Sequence, residues 1–253
     1  MKSLILLIVS GIFIAGCGTN PHGKGPVISH DAWTKLLKKH VNDEGLVNYK
    51  GFVEDKAILQ LYLDDLSANP PGDHWSANDK IAYWLNAYNA FTVKLIVDYY
   101  PIQSIKDIGP ENQVIFVNTP WDKNIVPIGN KTITLNGIEH GILRKRFKEP
   151  RIHFALNCAS ISCPVLRNEA YQGSTLDHQL NDQAIRFFND PLRNQPDPYK
   201  PQISPILNWY GGDLKKWSGL TLNQYINQYA TTKLNDDAPL SYLTYDWGLN
   251  DQQ

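Results

Sequence analysis

The chain has 253 residues; 42% are hydrophobic, 19% charged and 11% aromatic, and the formal net charge is −1. At this length a folded chain buries roughly 70–75% of the surface that its unfolded form exposes, and the composition is that of a protein with a full core, not a disordered one. Near-neutral charge without a basic domain or stripe argues against a nucleic-acid partner.

The N-terminus reads as an address. Lys2 supplies a positive start, and residues 4–15 are apolar apart from Ser10 and Gly11. That stretch is shorter than the about 20 apolar residues that span a bilayer and has the proportions of a signal-peptide core. It ends in Ile14-Ala15-Gly16-Cys17, which resembles the lipobox of bacterial lipoproteins. The resemblance implies that Cys17 is acylated and becomes the mature N-terminus; an ordinary secretory signal or an uncleaved anchor are the alternatives. Position 18 is Gly, not the aspartate that favours inner-membrane retention in enterobacterial lipoproteins. The expectation is a signal peptide over 1–16 and a Gly- and Pro-rich tether over 17–28. The protein then sits on the periplasmic face of the outer membrane, touching the membrane through its lipid alone.

From residue 29 the pattern is helical. Trp33, Leu36, Leu37 and Val41 follow helical spacing behind a Ser29 or Asp31 cap. A second helix is predicted over 53–67, with Ile58, Leu61, Tyr62 and Leu66 as its buried stripe, ended by Asn69-Pro70-Pro71-Gly72. A third opens after Ser76 and runs over 80–100; apolar on most sides, it is the predicted central helix and stops at Pro101. Residues 113–118 and 131–135 are β-branched and bounded by turn residues, as strands are, and Gly129-Asn130 predicts a hairpin joining 125–128 to the second of them. Asn136 caps a predicted helix over 137–147, and a strand is predicted over 151–156. A helix over 176–189, a Pro-rich link over 191–205, two short helices over 210–217 and 222–230 and a terminal segment 242–247 complete the chain. No repeat or linker divides the body. The expected fold is a single α+β domain over 29–253, mainly helical, with a small and mostly antiparallel sheet.

The most informative stretches are Ile138-Glu139-His140-Gly141-Ile142-Leu143-Arg144 and Arg151-Ile152-His153-Phe154-Ala155-Leu156-Asn157-Cys158-Ala159-Ser160-Ile161-Ser162-Cys163-Pro164. With Tyr83-Trp84-Leu85-Asn86-Ala87-Tyr88-Asn89-Ala90, Asn208-Trp209-Tyr210 and Tyr245-Asp246-Trp247-Gly248-Leu249-Asn250, they resemble the DUF547 family of unknown function. Such domains look like distant relatives of the papain-like and transglutaminase-like cysteine hydrolases, which implies a divergent papain-like arrangement. Those enzymes place their Cys at the start of a central helix, before the His. Here the central helix holds Trp84 and Asn86 but no Cys, so the likeness implies a permuted or degenerate site.

Read from the residues, a nucleophilic cysteine needs a base that lowers its pKa, and the base needs an orienting acid or amide. Cys158 follows a predicted strand end, and His140 sits on the helix before that strand. Glu139, Asn157 and Asp246 are the available orienters, backbone N–H groups of the loop the expected oxyanion donors, and Ser160 and Ser162 alternative nucleophiles. Cys158 and Cys163 are equally suited to a disulfide that would staple the loop and remove both thiols. His153 and the pair Asn86 and Asn89, one turn apart on an apolar helix, either line a cleft or lock loops in place. No metal site, cofactor motif or phosphate loop is present in the sequence.

Two functions lead, and a third reading, a redox protein, would need a reducible disulfide with an exposed low-pKa sulfur. One is a Cys/His-dependent hydrolase or transferase acting on amide bonds, with Cys158 as nucleophile, His140 as base and Glu139 or Asp246 as orienter. The other is a non-catalytic periplasmic binding or assembly module with a structural Cys158–Cys163 disulfide. A peptide, peptidoglycan or protein would be the ligand in either case.

Overall fold

A computed structural model describes residues 25–109 and 119–252. The predicted signal peptide, Cys17, most of the tether and the predicted strand 113–118 lie outside the described residues.

Helix α1 (Asp31–His40) buries Trp33, Leu36, Leu37 and His40, the i, i+3, i+4, i+7 stripe that its sequence spells. The second predicted helix is two: α2 (Tyr49–Glu54), capped by the Asn48 side chain, and α3 (Lys56–Ala68). Asp55 lies between them, its carboxylate turned back onto α1 to accept from His40 Nε2 at 2.7 Å and from Lys39 Nζ at 2.7 Å. The buried stripe of α3 is Leu59, Tyr62, Leu63 and Leu66. The predicted Ile58 and Leu61 are instead 48% and 69% exposed. The inward face is thus displaced by one residue from the predicted one, with Tyr62 and Leu66 common to both.

Helix α4 (Ala77–Tyr99) is the central element. Ser76 caps it by accepting from Asp79 N–H at 3.1 Å, and nearly every side chain from Ile81 to Val97 is buried. The predicted hairpin is formed by β1 (Val126–Ile128) and β2 (Lys131–Ile133), antiparallel, with Gly129 at φ 59° in the turn. The predicted helix over 137–147 begins as a wider π-helical segment, Gly137–Leu143, and continues as the short α5 (Arg144–Arg146).

The predicted strand 151–156 is a correction: Pro150–Phe154 is a turn of 3-10 helix. Pro150 opens it, and residues 152–156 are all buried, facing different partners rather than the two faces of a sheet. Helix α6 (Leu176–Phe188) follows, then α7 (Ile206–Ser218), closed by Gly219 at φ 76°, and α8 (Leu222–Tyr229). A second two-stranded pairing joins β3 (Gln202–Ile203) to β4 (Ser241–Tyr242), and it is parallel. The fold is mainly helical α+β, as the sequence predicts. No helix of the described residues is long and apolar enough to cross a membrane.

Buried apolar side chains form two clusters. The larger surrounds α4; the smaller lies between α6, α7 and α8. Helix α6 belongs to both, giving Leu176 and Leu180 to the first and Ala184, Phe187 and Phe188 to the second. The 3-10 turn does the same, with Ile152 in the first cluster and Phe154 in the second. It therefore stands at the seam, and the loop that leaves it carries Cys158.

Stability should fall with acid through His30. This side chain is 2% exposed and its Nδ1 is 2.7 Å from Tyr62 Oη. Burial lowers its pKa from 6.5 to about 4, against the opposing charges of Asp31 and Asp79. Between those two values the unfolded chain binds a proton that the folded chain refuses, so stability is full above pH 6.5 and drops as pH falls towards 4. The expected loss between pH 7 and 4.5 is about 2–3 kcal/mol from this group. Urea denaturation of the wild type and of His30→Gln at both pH values measures it, and equal losses in the two proteins would refute the assignment.

Candidate functional site

The site is built from one helix, one loop and one terminal segment. Two turns of α4 supply Asn86 and Asn89, both buried. Asn89 accepts from Asn157 N–H at 2.9 Å and donates to Ala155 O at 3.0 Å. Asn86 does the same to a second segment, accepting from Tyr171 N–H at 2.9 Å and donating to Tyr171 O at 2.8 Å. Each amide thus satisfies one backbone donor and one backbone acceptor, as a neighbouring strand would. Of the two roles that the sequence left open for this pair, the hydrogen bonds describe the locking of loops.

Asn157 closes the loop that follows. Its side chain donates to Pro164 O at 2.8 Å and accepts from Ala159 N–H at 2.9 Å. Buried Arg193 holds the same loop from outside through Ile161 O at 2.7 Å and Cys163 O at 2.5 Å. The terminal segment lies along it: Ile161 N–H donates to Gly248 O at 2.8 Å, Asn250 N–H to Ala159 O at 3.4 Å and Asp246 N–H to Ser162 Oγ at 2.8 Å. Between these anchors Ala159 takes the left-handed conformation, φ 61°, which a non-glycine residue adopts at a cost of about 1–3 kcal/mol. That turn aims the Ser160 N–H at the sulfur of Cys158.

Cys158 and Cys163 are both free thiols. Cys158 Sγ lies 3.2 Å from Ser160 Oγ and 3.2 Å from Tyr245 Oη, and those two hydroxyls are 3.1 Å apart. Cys163 Sγ accepts the Cys158 N–H at 2.8 Å, and its thiol is within hydrogen-bonding reach of Cys158 Sγ. Burial works against ionisation of Cys158, but the donors from Cys163, Ser160 and Tyr245 outweigh it and leave its pKa below that of a free cysteine. Cys163 moves the other way, raised by burial and then by its bond to Cys158 and the charge there. Tyr245 is likewise pushed up by burial and the two neighbouring sulfurs, so it stays a donor.

The expected partners stand elsewhere. His140 is exposed and its Nδ1 lies 2.8 Å from Arg144 Nη1, so the imidazole is not among the hydrogen-bond partners of Cys158. Glu139, its neighbour, is buried beside the Tyr210 hydroxyl. Its carboxylate is 3.8 Å from His140 Nδ1. The backbone of Asp246 reaches the loop, but its side chain is exposed and accepts from Gly248 N–H at 2.8 Å. His153 is buried, with Nε2 3.1 Å from Asp213 Oδ2 and its ring stacked on Tyr210 at 4.1 Å. Asp213 also accepts from Arg144 Nε at 2.6 Å. Its carboxyl is held well below the usual range because these two bonds outweigh its desolvation.

The loop N–H groups are spoken for. Cys158 N–H goes to Cys163 Sγ, Ala159 to Asn157 Oδ1, Ser160 to Cys158 Sγ, Ile161 to Gly248 O, Ser162 to Asp246 O and Cys163 to Ser160 O. The expected backbone oxyanion hole is therefore corrected: its donors already serve the loop's own fold and the thiol. The donors that face the sulfur from side chains are the hydroxyls of Ser160 and Tyr245 and the thiol of Cys163.

Beside the thiol Tyr245 packs against Trp247 at 4.5 Å and Trp209 at 4.9 Å, and Lys106 Nζ sits 3.9 Å over the Trp247 ring. Trp209 is 48% exposed. Among the described residues no three His, Cys, Asp or Glu side chains are grouped to hold a metal ion.

Sequence reasoning missed Tyr245 and Asp213 as site residues. Both are distant in the chain from what they touch, and nothing in their local pattern marks them; Tyr245 could have been found only through the terminal motif that contains it.

No curated protein and no solved structure matches the chain. The family described as "Protein of unknown function, DUF547" matches residues 73–188, a span that holds α4, the hairpin, Glu139, His140, both cysteines and α6 but neither Asp213 nor Tyr245. Those residues, a little under half of the chain, match the DUF547 family model.

Proposed function

We propose that the domain is a thiol-dependent acyl-transfer enzyme of the cell envelope, a hydrolase or transferase with Cys158 as nucleophile. The observation that carries this reading is the convergence of the Ser160 and Tyr245 hydroxyls and the Cys163 thiol on a half-buried sulfur whose ionisation they favour. Activation by a cradle of donors takes the place of activation by an imidazole. The thiolate attacks the acyl carbon, a C–S bond forms, and the bond to the departing amine or alcohol breaks. The departing group takes its proton from Tyr245 Oη, which recovers one from the water or acceptor that next cleaves the thioester. Ser160 Oγ is the donor nearest the oxyanion, and the Trp209 and Trp247 faces hold the acyl group's flank. Amide bonds of peptides, peptidoglycan or proteins are the substrate class.

An acetyl ester of p-nitrophenol tests this. Mass spectrometry should find an acetyl group on the tryptic peptide 152–167 that hydroxylamine removes, present in Cys163→Ser and lost in Cys158→Ser. Acetylation equal in the two variants, or absent from this peptide, would refute the reading. The envelope location rests on the apolar stretch 4–15 and Cys17. Cys17→Ser should leave the detergent phase for the aqueous phase on phase separation; unchanged partitioning would reject the lipid anchor.

A further inference from the structure

We infer that Cys158 and Cys163 form a reversible redox pair, in which a hydroperoxide oxidises Cys158 and Cys163 resolves the product into a disulfide. This goes beyond the acyl-transfer reading and does not depend on it.

Three features of the loop carry the inference. The two sulfurs are already apposed: Cys163 Sγ accepts the Cys158 N–H at 2.8 Å and lies within hydrogen-bonding reach of Cys158 Sγ. The chain between them folds back tightly, through the left-handed Ala159 and the Cys163 N–H to Ser160 O bond at 3.1 Å. The two thiols are also unequal. Cys158 is partly exposed, whereas Cys163 is 3% exposed and the more sheltered of the two. A partly exposed thiol stabilised as its thiolate, beside a more sheltered second thiol, is the arrangement that separates a peroxide-reacting sulfur from a resolving one.

The chemistry balances with a hydroperoxide as sole co-reactant. The Cys158 thiolate attacks the terminal peroxide oxygen; the S–O bond forms, the O–O bond breaks, and the alkoxide or hydroxide leaves and is protonated to alcohol or water. Sulfur has lost two electrons and Cys158 is a neutral sulfenic acid. Its negative charge, one of the effects that keeps Cys163 protonated, has gone. Cys163 then gives up its proton and attacks Cys158 sulfur; the S–S bond forms, the S–O bond breaks, and hydroxide leaves with that proton as water. Two thiols and one hydroperoxide give a disulfide, an alcohol and water. The disulfide ties up the nucleophile, so the oxidised protein is inert at Cys158 until a thiol reductant restores it.

The test needs no substrate. Residues 152–167 carry both cysteines, no internal Lys or Arg, and not Cys17, so trypsin releases the pair on one peptide. The full chain, reduced and freed of reductant, is treated with one equivalent of hydrogen peroxide and then digested. The expected product is this peptide lighter by two hydrogens, returned to full mass by dithiothreitol applied to the folded protein before digestion. In Cys163→Ser the sulfenic acid has no resolving partner, so dimedone labels Cys158 at least tenfold more than in the wild type. Cys163→Ala repeats the measurement should the serine variant prove unfolded by circular dichroism. Oxidation of wild-type Cys158 straight to sulfinic acid, two unmodified thiols, or a bond that dithiothreitol leaves intact would each overturn the proposal. These outcomes are independent of ester acetylation, so failure here and failure of the acyl-transfer reading are read separately.

Discussion

Asn89→Leu is expected to lose about 2–6 kcal/mol of folding stability. Leucine fills nearly the same volume, so the change isolates the hydrogen bonds. Without the amide, Ala155 O and Asn157 N–H remain buried with nothing to pair with, and each unsatisfied group costs about 1–3 kcal/mol. Asn86→Leu should cost a similar amount, because it strips Tyr171 of both its backbone partners. The two variants differ in what else they disturb. Asn89 holds the segment that carries Cys158, so its loss should also lower the reactivity of that thiol, whereas loss of Asn86 should leave it unchanged. Urea denaturation gives the stabilities and alkylation by iodoacetamide gives the reactivity. A cost below about 1 kcal/mol for Asn89→Leu would show that the amide does not clamp the loop.

Tyr245→Phe should slow alkylation of Cys158 at neutral pH by about tenfold. A hydrogen bond to a charged group contributes about 1.5–3 kcal/mol, and part of the loss of thiolate is offset because a more basic thiolate is the better nucleophile. The sign follows from what the hydroxyl does. It donates to the thiolate, so removing it favours the thiol and moves the pH–rate curve upward. At a pH well above both curves the variant should therefore react no more slowly than the wild type. Ser160→Ala should act in the same direction through its 3.2 Å contact. An unchanged curve in Tyr245→Phe would mean that its hydroxyl does not serve the sulfur.

What the sequence makes legible follows the range of the interactions involved. Helix α4 is apolar on almost every side, and only a central position satisfies such a segment. The hairpin is legible because its turn is spelled by two adjacent residues, Gly129 and Asn130. The segment 151–156 misleads because alternation is a proxy for a sheet with two faces. Here Ile152 and Phe154 enter different apolar clusters and His153 stacks on Tyr210, so the same period arises without any strand. The loop with its two cysteines was visible as a concentration of reactive side chains. Its activating partner was not: Tyr245 is 87 residues from Cys158, and only the folding of the terminal segment onto 159–162 unites them. Likewise, Glu139 and His140 do pair, at 3.8 Å, but with Glu139 buried and His140 exposed on a helix whose side chains are not among the hydrogen-bond partners of Cys158.

The π-helical turn over Gly137–Leu143 makes the length of this part of the gene non-negotiable. A π turn is an α-helix carrying one surplus residue, and such a bulge is ordinarily relieved by deleting it. Gly141 looks dispensable: it is exposed and a Cβ there would meet no atom within 4 Å. Yet the surplus residue sets the phase between Glu139, which must face inward beside Tyr210, and Arg144, which must reach Asp213 and through it His153. A one-codon deletion would straighten the helix and put one of those two side chains out of phase. Drift in length is thus closed to this segment while drift in composition at Gly141 stays open, so family members should vary here by substitution and not by indel.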